Sequence, residues 1–156
     1  MVKYTAAGTL FTNKKVILAG YQPKLGSISG IGGMKEEGEK YKQTAIRETI
    51  EELFHVKKVP KKLIKEIIKT VEIEKIVKNE SYKILIYNFR SLKKILKIIK
   101  DHGIKSPLYK KIPLTLSTLL LNRKSISTSE IRQLVILPFE KDIVVHEYLI
   151  NDIAMV

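Results

Sequence analysis

Between Gly33 and Glu52 one glutamate-rich segment leaves the chain little freedom in how it folds: Gly33, five residues, Glu39, seven residues, then Arg47-Glu48-Thr49-Ile50-Glu51-Glu52. On a helix, Glu48, Glu51 and Glu52 stand at i, i+3 and i+4, so their carboxylates leave one face and share a small volume. Ala45, Ile46, Thr49, Ile50 and Leu53 supply the small or apolar packing positions. The spacing predicts a helix over about Tyr41 to Phe54 that carries a core on one side and an acid cluster on the other. Like charges so placed repel, by roughly a few tenths of a kcal/mol per exposed pair. A hard divalent cation removes that cost, because Mg²⁺ binds oxygen and is shared among carboxylates, waters and phosphates.

Upstream, Ser29-Gly30-Ile31-Gly32-Gly33-Met34 reads as a loop whose missing Cβ atoms permit positive φ and close backbone approach to a ligand. Alternating and β-branched character marks Tyr4 to Phe11 and Val16 to Tyr21 as paired strands around a Thr12-Asn13-Lys14 turn. Pro60 opens a second helix whose Leu63, Ile64, Ile67 and Ile68 oppose Lys61, Lys62 and Lys65. Val71 to Ile76 and Ser81 to Phe89 form a hairpin about Lys78-Asn79-Glu80. Leu92, Ile95, Leu96 and Ile99 then recur at helical spacing until His102-Gly103, an apolar stripe best used as core. Glu130 to Pro138 returns as a strand and His146 to Ala154 as a closing helix. Strands separated by helices favour a sheet between helical layers, an α/β fold.

At 156 residues the chain is expected to form a single domain over 1–156. It has no cysteine, which excludes disulfides and thiolate metal sites. No apolar run approaches the roughly 20 residues that span a bilayer, and Met1 to Gly8 lacks the apolar segment of a secretory signal. The expectation is a soluble, cytoplasmic protein with no membrane partner. The formal net charge of +13 is uneven, acidic within Glu36 to Glu52 and basic at Lys57, Lys58, Lys61, Lys62, Lys65 and again at Lys93, Lys94, Lys97 and Lys100. A basic surface around an acidic site draws polyanions such as RNA toward it; lysine-rich composition also serves solubility alone.

The register of glycine, distant glutamate, Arg-Glu and Glu-Glu resembles the Nudix box, signature of a family of magnesium-dependent hydrolases that cut diphosphate linkages. The resemblance implies an α/β/α sandwich with a mixed β-sheet, covering the first 60 residues well, with an extra helical insert around 92–124. It implies Glu48, Glu51 and Glu52 as metal carboxylates, the Gly32 carbonyl as a further ligand, and Mg²⁺ as cofactor with Mn²⁺ as its substitute. Gly33 and Glu39 are then structural parts of the motif, Glu39 bracing loop against helix. Arg47 would hold the cluster through Glu48 or Glu39, a task suited to its fork geometry. The general base would be Glu51, or a later glutamate, Glu130 first and Glu80 second. For substrate contacts, Lys35 is either a phosphate ligand or a solvated lysine, and Tyr82 and Tyr87 either stack a nucleobase or line a buried sheet face. Phe54 and His55 depart from the family's glycine and aliphatic residue, which predicts an extended or reshaped helix end. His55, His102 and His146 form no spaced metal pair and are expected at the surface or as caps.

The expected reaction is attack of water on one phosphorus of a nucleoside diphosphate derivative, with capped RNA foremost in a decapping cleavage. Inositol pyrophosphates and nucleoside triphosphates come next. A non-catalytic RNA-binding protein of the same fold is the alternative of a different class.

Overall fold

Seven strands and four helices are described, in the order β1 (Ala6–Phe11), β2 (Val16–Gln22), β3 (Ser27–Ser29), β4 (Ile31–Met34), α1 (Tyr41–Phe54), α2 (Lys61–Thr70), β5 (Lys75–Lys78), β6 (Tyr82–Tyr87), α3 (Phe89–Asp101), α4 (Leu116–Leu121) and β7 (Gln133–Pro138). This is a computed structural model that describes residues 4–139 together with Leu149 and Ile153. Of the closing helix expected over His146 to Ala154, only those last two fall within the described residues; both are helical and buried.

Every residue of β1 from Ala7 to Phe11 is buried, as a strand covered on both faces must be. β1 lies antiparallel to β4 and parallel to β6, and β6 is antiparallel to β5, giving a mixed four-stranded sheet in the order β4-β1-β6-β5. A second, antiparallel sheet runs β3-β2-β7. The expected pairing of the first two strands is therefore corrected: β1 and β2 belong to different sheets, and their backbones are bridged at Thr12–Ile17 beside the turn. The cause lies in the turn. Thr12 Oγ1 bonds the Val16 carbonyl at 2.7 Å, Asn13 Oδ1 accepts from both Lys15 and Val16 N–H at 2.9 Å, and Lys14 sits at φ 70°. These bonds fix a turn that carries the chain off β1, both of whose edges are already paired, with β4 and with β6.

Successive residues of β6 face opposite ways. Leu85 and Tyr87 enter the larger core with Ile46, Ile50 and Leu53 of α1, Leu63 and Ile67 of α2, and Leu92, Ile95, Leu96 and Ile99 of α3. Ile84 and Ile86 enter a second cluster with Leu10, Ile17, Val77, Leu149 and Ile153. The result is a mixed α/β architecture with helical residues on both sides of the four-stranded sheet. The α3 stripe packs into this core as its spacing predicts. Asn88 caps the helix by accepting from Ser91 N–H at 2.7 Å, and Gly103 closes it at φ 70°.

Three further expectations are adjusted. Gly32 and Gly33 lie within β4, not in a loop, and neither has positive φ; their missing Cβ atoms serve close approach alone. The last strand begins at Gln133, which leaves Glu130 in the preceding loop. Finally, α1 stops at Phe54 despite the missing glycine, because His55 takes the left-handed turn at φ 51°, ψ 49° while Phe54 is buried against Tyr109. A non-glycine residue there is uncommon and holds because the side chain before it is anchored.

Tyr87 cannot present its ring to a ligand: it is fully buried, stacked on Phe11 with centroids 5.6 Å apart, and its hydroxyl has no partner among the described residues. Burial holds that phenol above its usual range. An orphaned buried hydroxyl costs about 1–3 kcal/mol. Tyr87→Phe is therefore expected to raise the midpoint of urea unfolding with turnover unchanged, and a lowered midpoint would show that the hydroxyl has a partner.

Candidate active site

The acidic face of α1 is organised by one guanidinium. Arg47 Nε and Nη2 grip Glu39 in a bidentate pair at 2.7 and 3.0 Å, Nη1 reaches Glu48 at 2.8 Å and Glu51 at 3.0 Å, and Nη2 donates to the Met34 carbonyl of β4 at 2.8 Å. Both partners expected of Arg47 are thus engaged together. Burial alone would depress its charged form, but the hydrogen bonds it donates to Glu39 and Glu48 outweigh this and hold it protonated. Glu39 also ties down the helix entry, accepting from Glu36 N–H at 2.8 Å and Thr44 Oγ1 at 2.9 Å. Burial raises its pKa, yet the hydrogen bonds from Arg47, Glu36 and Thr44 carry it below the usual carboxylate range.

Gly33 is where strand and helix meet most closely. A Cβ built there would fall 2.3 Å from the Glu48 carboxyl carbon, so only glycine lets β4 pass over this acid. One residue earlier, Gly32 N–H donates to Glu52 Oε2 at 3.0 Å. That N–H points off the sheet, since β4 is the edge strand, and on an antiparallel strand the carbonyl of the same residue leaves by the same edge. The Gly32 carbonyl accordingly leaves β4 by the edge away from β1.

Beyond the helix end lies a cleft of about 320 Å³ lined by Glu48, Glu51, Glu52, His55, Thr128 and Glu130. The late loop thus brings Glu130 to the acids, whereas Glu80 sits exposed at the β5–β6 turn, outside this lining. Lys35 and Tyr82 also lie outside it. The Lys35 ammonium stands 4.9 Å from the Tyr4 ring centroid, and Tyr82 packs on the second core cluster with its hydroxyl beside Gly8 and Gly32.

All three helix acids on this cleft have raised pKa values. For Glu48 and Glu51 burial is the largest cause, opposed by Arg47 and reinforced by neighbouring carboxylates. Glu52 is pushed well above its usual value by burial first and then by Glu130, with the Gly32 hydrogen bond acting against them. As the side chains stand, no three acid or histidine groups among the described residues form a ready metal cluster. Arg47 occupies Glu48 Oε1 and Glu51 Oε2, and Gly32 occupies Glu52 Oε2. The remaining Glu52 oxygen, Oε1, is buried without a hydrogen-bond partner among the described residues. An orphaned carboxylate oxygen facing three other acids is the donor set a hard divalent cation requires, so the residues fit such an ion.

Two residues of the site were not expected from sequence. His55, foreseen at most as a cap, both caps α1 and lines the cleft, with Nε2 3.4 Å from Thr128 Oγ1. Arg123 donates to the carbonyls of Glu52 at 3.0 Å and Ile131 at 2.8 Å, and also to that of Leu53. It bolts the loop of Glu130 to the last turn of α1, whose carbonyls have no helical partners. Only the position of His55, next to the helix end, hinted at its place. Arg123 lies 71 residues from Glu52, and no local pattern announces it.

No family model matches the sequence, and no curated protein matches it either. Among solved structures, the chain is similar to an Ap4A hydrolase from C. elegans in a binary complex, at 15% identity over 99% of this chain and 94% of that one, with a TM-score of 0.49. A bifunctional NMN adenylyltransferase/ADP ribose pyrophosphatase from Francisella tularensis, complexed with AMP and a Mn ion, aligns at 12% identity over 99% of this chain but 38% of that one, with a TM-score of 0.43. A NUDIX family hydrolase from Clostridium perfringens gives 12% identity, 98% and 95% coverage, and a TM-score of 0.43. The third of these neighbours carries the Nudix family name. At these identities and scores the Nudix likeness concerns shape alone, and the chemistry rests on this chain's own side chains.

A carboxyl whose pKa is raised on folding opposes the folded state once it ionises, so stability falls as pH climbs from its unfolded pKa through its folded one. Glu52→Gln removes that charge while keeping an oxygen for Gly32 N–H. In EDTA near neutral pH the variant is expected to melt higher than the parent, by about 2–4 °C for each kcal/mol relieved, with the gain vanishing in acid. Calorimetry across pH checks this; a variant that melts lower at neutral pH contradicts a strained carboxylate. Arg123→Ala should cost about 1–3 kcal/mol of stability, from carbonyls left unpaired, as read by urea unfolding.

Proposed function

We propose that this chain is a divalent-cation-dependent hydrolase that cleaves a diphosphate linkage in a nucleotide derivative, in the manner of the Nudix hydrolases its box resembles. The observation that supports it best is the convergence of Glu48, Glu51, Glu52 and Glu130 on one cleft with a Glu52 oxygen left unpartnered. Glu48, Glu51 and Glu52 would hold Mg²⁺ or Mn²⁺, with the Gly32 carbonyl beside them. When bound, such an ion offsets phosphate charge and makes an attacking water more acidic.

The chain's own groups divide the remaining work. Arg47 fixes the Glu48 and Glu51 carboxylates from behind and touches no substrate. Glu130, exposed at the cleft and opposite the helix acids, takes the proton from the attacking water. Arg123 sets the distance between that base and the helix by holding both backbones. His55 and Lys57 at the cleft mouth would meet the departing phosphate. Within this class the +13 charge favours an extended polyanion, capped RNA first, over a small neutral-headed substrate.

A Mg²⁺-dependent product assay over capped RNA, dinucleoside polyphosphates, nucleoside triphosphates, sugar nucleotides and inositol pyrophosphates tests the proposal. Glu51→Gln or Glu52→Gln should nearly abolish turnover of the best substrate in a folded protein. Glu130→Gln should lower the rate by on the order of 10²–10⁴-fold with substrate affinity little changed, and Glu80→Gln should not. Absence of turnover on the whole panel would favour a non-catalytic binding protein; full turnover in both helix variants would place the metal elsewhere.

A further inference from the structure

We propose that Lys35, Lys78 and Lys83, gathered on the rings of Tyr4 and Tyr41, form a binding site for the phosphate chain of single-stranded nucleic acid, separate from the carboxylate cleft. Lys78 and Lys83 are register partners across the β5–β6 pair. Like charges directly opposite on a sheet are destabilising, so this pairing works against the fold it sits in. Both side chains reach the Tyr41 ring. The Lys83 ammonium stands 4.9 Å from the Tyr41 centroid and 5.5 Å from that of Tyr4, Lys78 stands 5.9 Å from Tyr41, and Lys35 stands 4.9 Å from Tyr4. The rings meet edge to face, centroids 6.3 Å apart, so all three cations crowd one aromatic pair.

Among the described residues, no carboxylate lies within salt-bridge distance of any of the three. Ring faces attract the cations but leave their charge uncancelled. An anion bridging them would cancel it. The basic surface continues past Tyr41 into a groove of about 400 Å³ lined by Lys40, Lys42, Lys65 and Lys69. Lysines spread over this patch and the adjoining groove suit a chain of phosphates better than one compact anion. Lysines interleaved with aromatic rings are the means by which single strands are held, phosphates on the ammonium groups and unpaired bases on the rings. A duplex hides its base faces and would leave the tyrosines idle. Eleven residues of α1 separate Tyr41 from Glu52, about 16 Å at 1.5 Å per residue, so a strand of a few nucleotides could occupy this patch and reach the cleft.

The site stands without the hydrolase reading, and its test excludes catalysis. Binding of a fluorescent unstructured oligouridylate to the full chain is followed by anisotropy in EDTA. The parent should bind at low salt with a log–log salt slope of about −2, the value for three phosphates neutralised on a single strand. Lys78→Gln/Lys83→Gln, confirmed folded by its melting curve, should weaken binding about tenfold or more and flatten the slope. Lys93→Gln/Lys94→Gln on α3 removes the same net charge and should change affinity by less than about twofold. Tyr41→Leu should weaken binding of the oligonucleotide and spare that of inorganic polyphosphate. Equal loss from the α3 pair would reduce the effect to net charge and overturn the site. An oligonucleotide indifferent to Tyr41 would overturn the nucleic-acid assignment in favour of any phosphate chain. Hydrolysis could fail while this binding persists, or the reverse, so the two proposals fall separately.

Discussion

The structure around the cleft depends on the Arg47 guanidinium, whose five hydrogen bonds join the edge strand, the helix entry and the helix itself. Without a central cation, Glu39, Glu48 and Glu51 would repel one another in a half-buried space where water screens them poorly. A planar fork can serve three carboxylates and a carbonyl at once; a lysine ammonium has fewer donors and no fixed plane. The geometry leaves Glu52 outside its reach. Arg47 therefore holds three of the acids, while Glu52 keeps the Gly32 N–H on one oxygen and no partner among the described residues on the other.

That selectivity needs β4 to lie almost on the helix. Gly33 permits the strand to pass over Glu48, and Gly32 presents its N–H to Glu52, so strand and helix fix each other through groups a side chain at either position would displace. At the far end Arg123 repeats the device with backbone partners, holding the last carbonyls of α1 and the loop of Glu130 in one grip. The acids are thus clamped from both sides by arginines that need not touch a substrate.

How much of this could be read beforehand follows from the range of each interaction. The helix, its core face and its acid cluster repeat at fixed spacing within a few turns, and Tyr41–Phe54 is where that spacing puts it. Tyr82 and Tyr87 are five apart on one strand, a parity that sends them to opposite faces and already divides the pair. The partition of β1 and β2 into separate sheets was less visible, because a two-strand pattern around a turn says nothing of which edge each strand will pair with. Side chains of Thr12 and Asn13 decide it. Arg123 was invisible for the simplest reason: its partners are carbonyls, present at every residue, and only the tertiary fold selects which ones it meets.

The charges along α1 run against its own field. A helix favours anions at its N-terminus and cations at its C-terminus. Here the first turn has no acid and the last has no base. Lys40 and Lys42 stand instead at the start, and Glu51 and Glu52 near the end. Arg123, arriving from elsewhere in the chain, relieves the end only in part, since it takes the carbonyls and not the carboxylates. The macrodipole therefore adds to the demand at both ends, for an anion beside Tyr41 and for a cation beside Glu52. A phosphate chain lying along the helix, with a divalent ion at one end, would satisfy both, and so would two separate ions; either way the two proposed sites share an electrostatic origin although each can be tested alone.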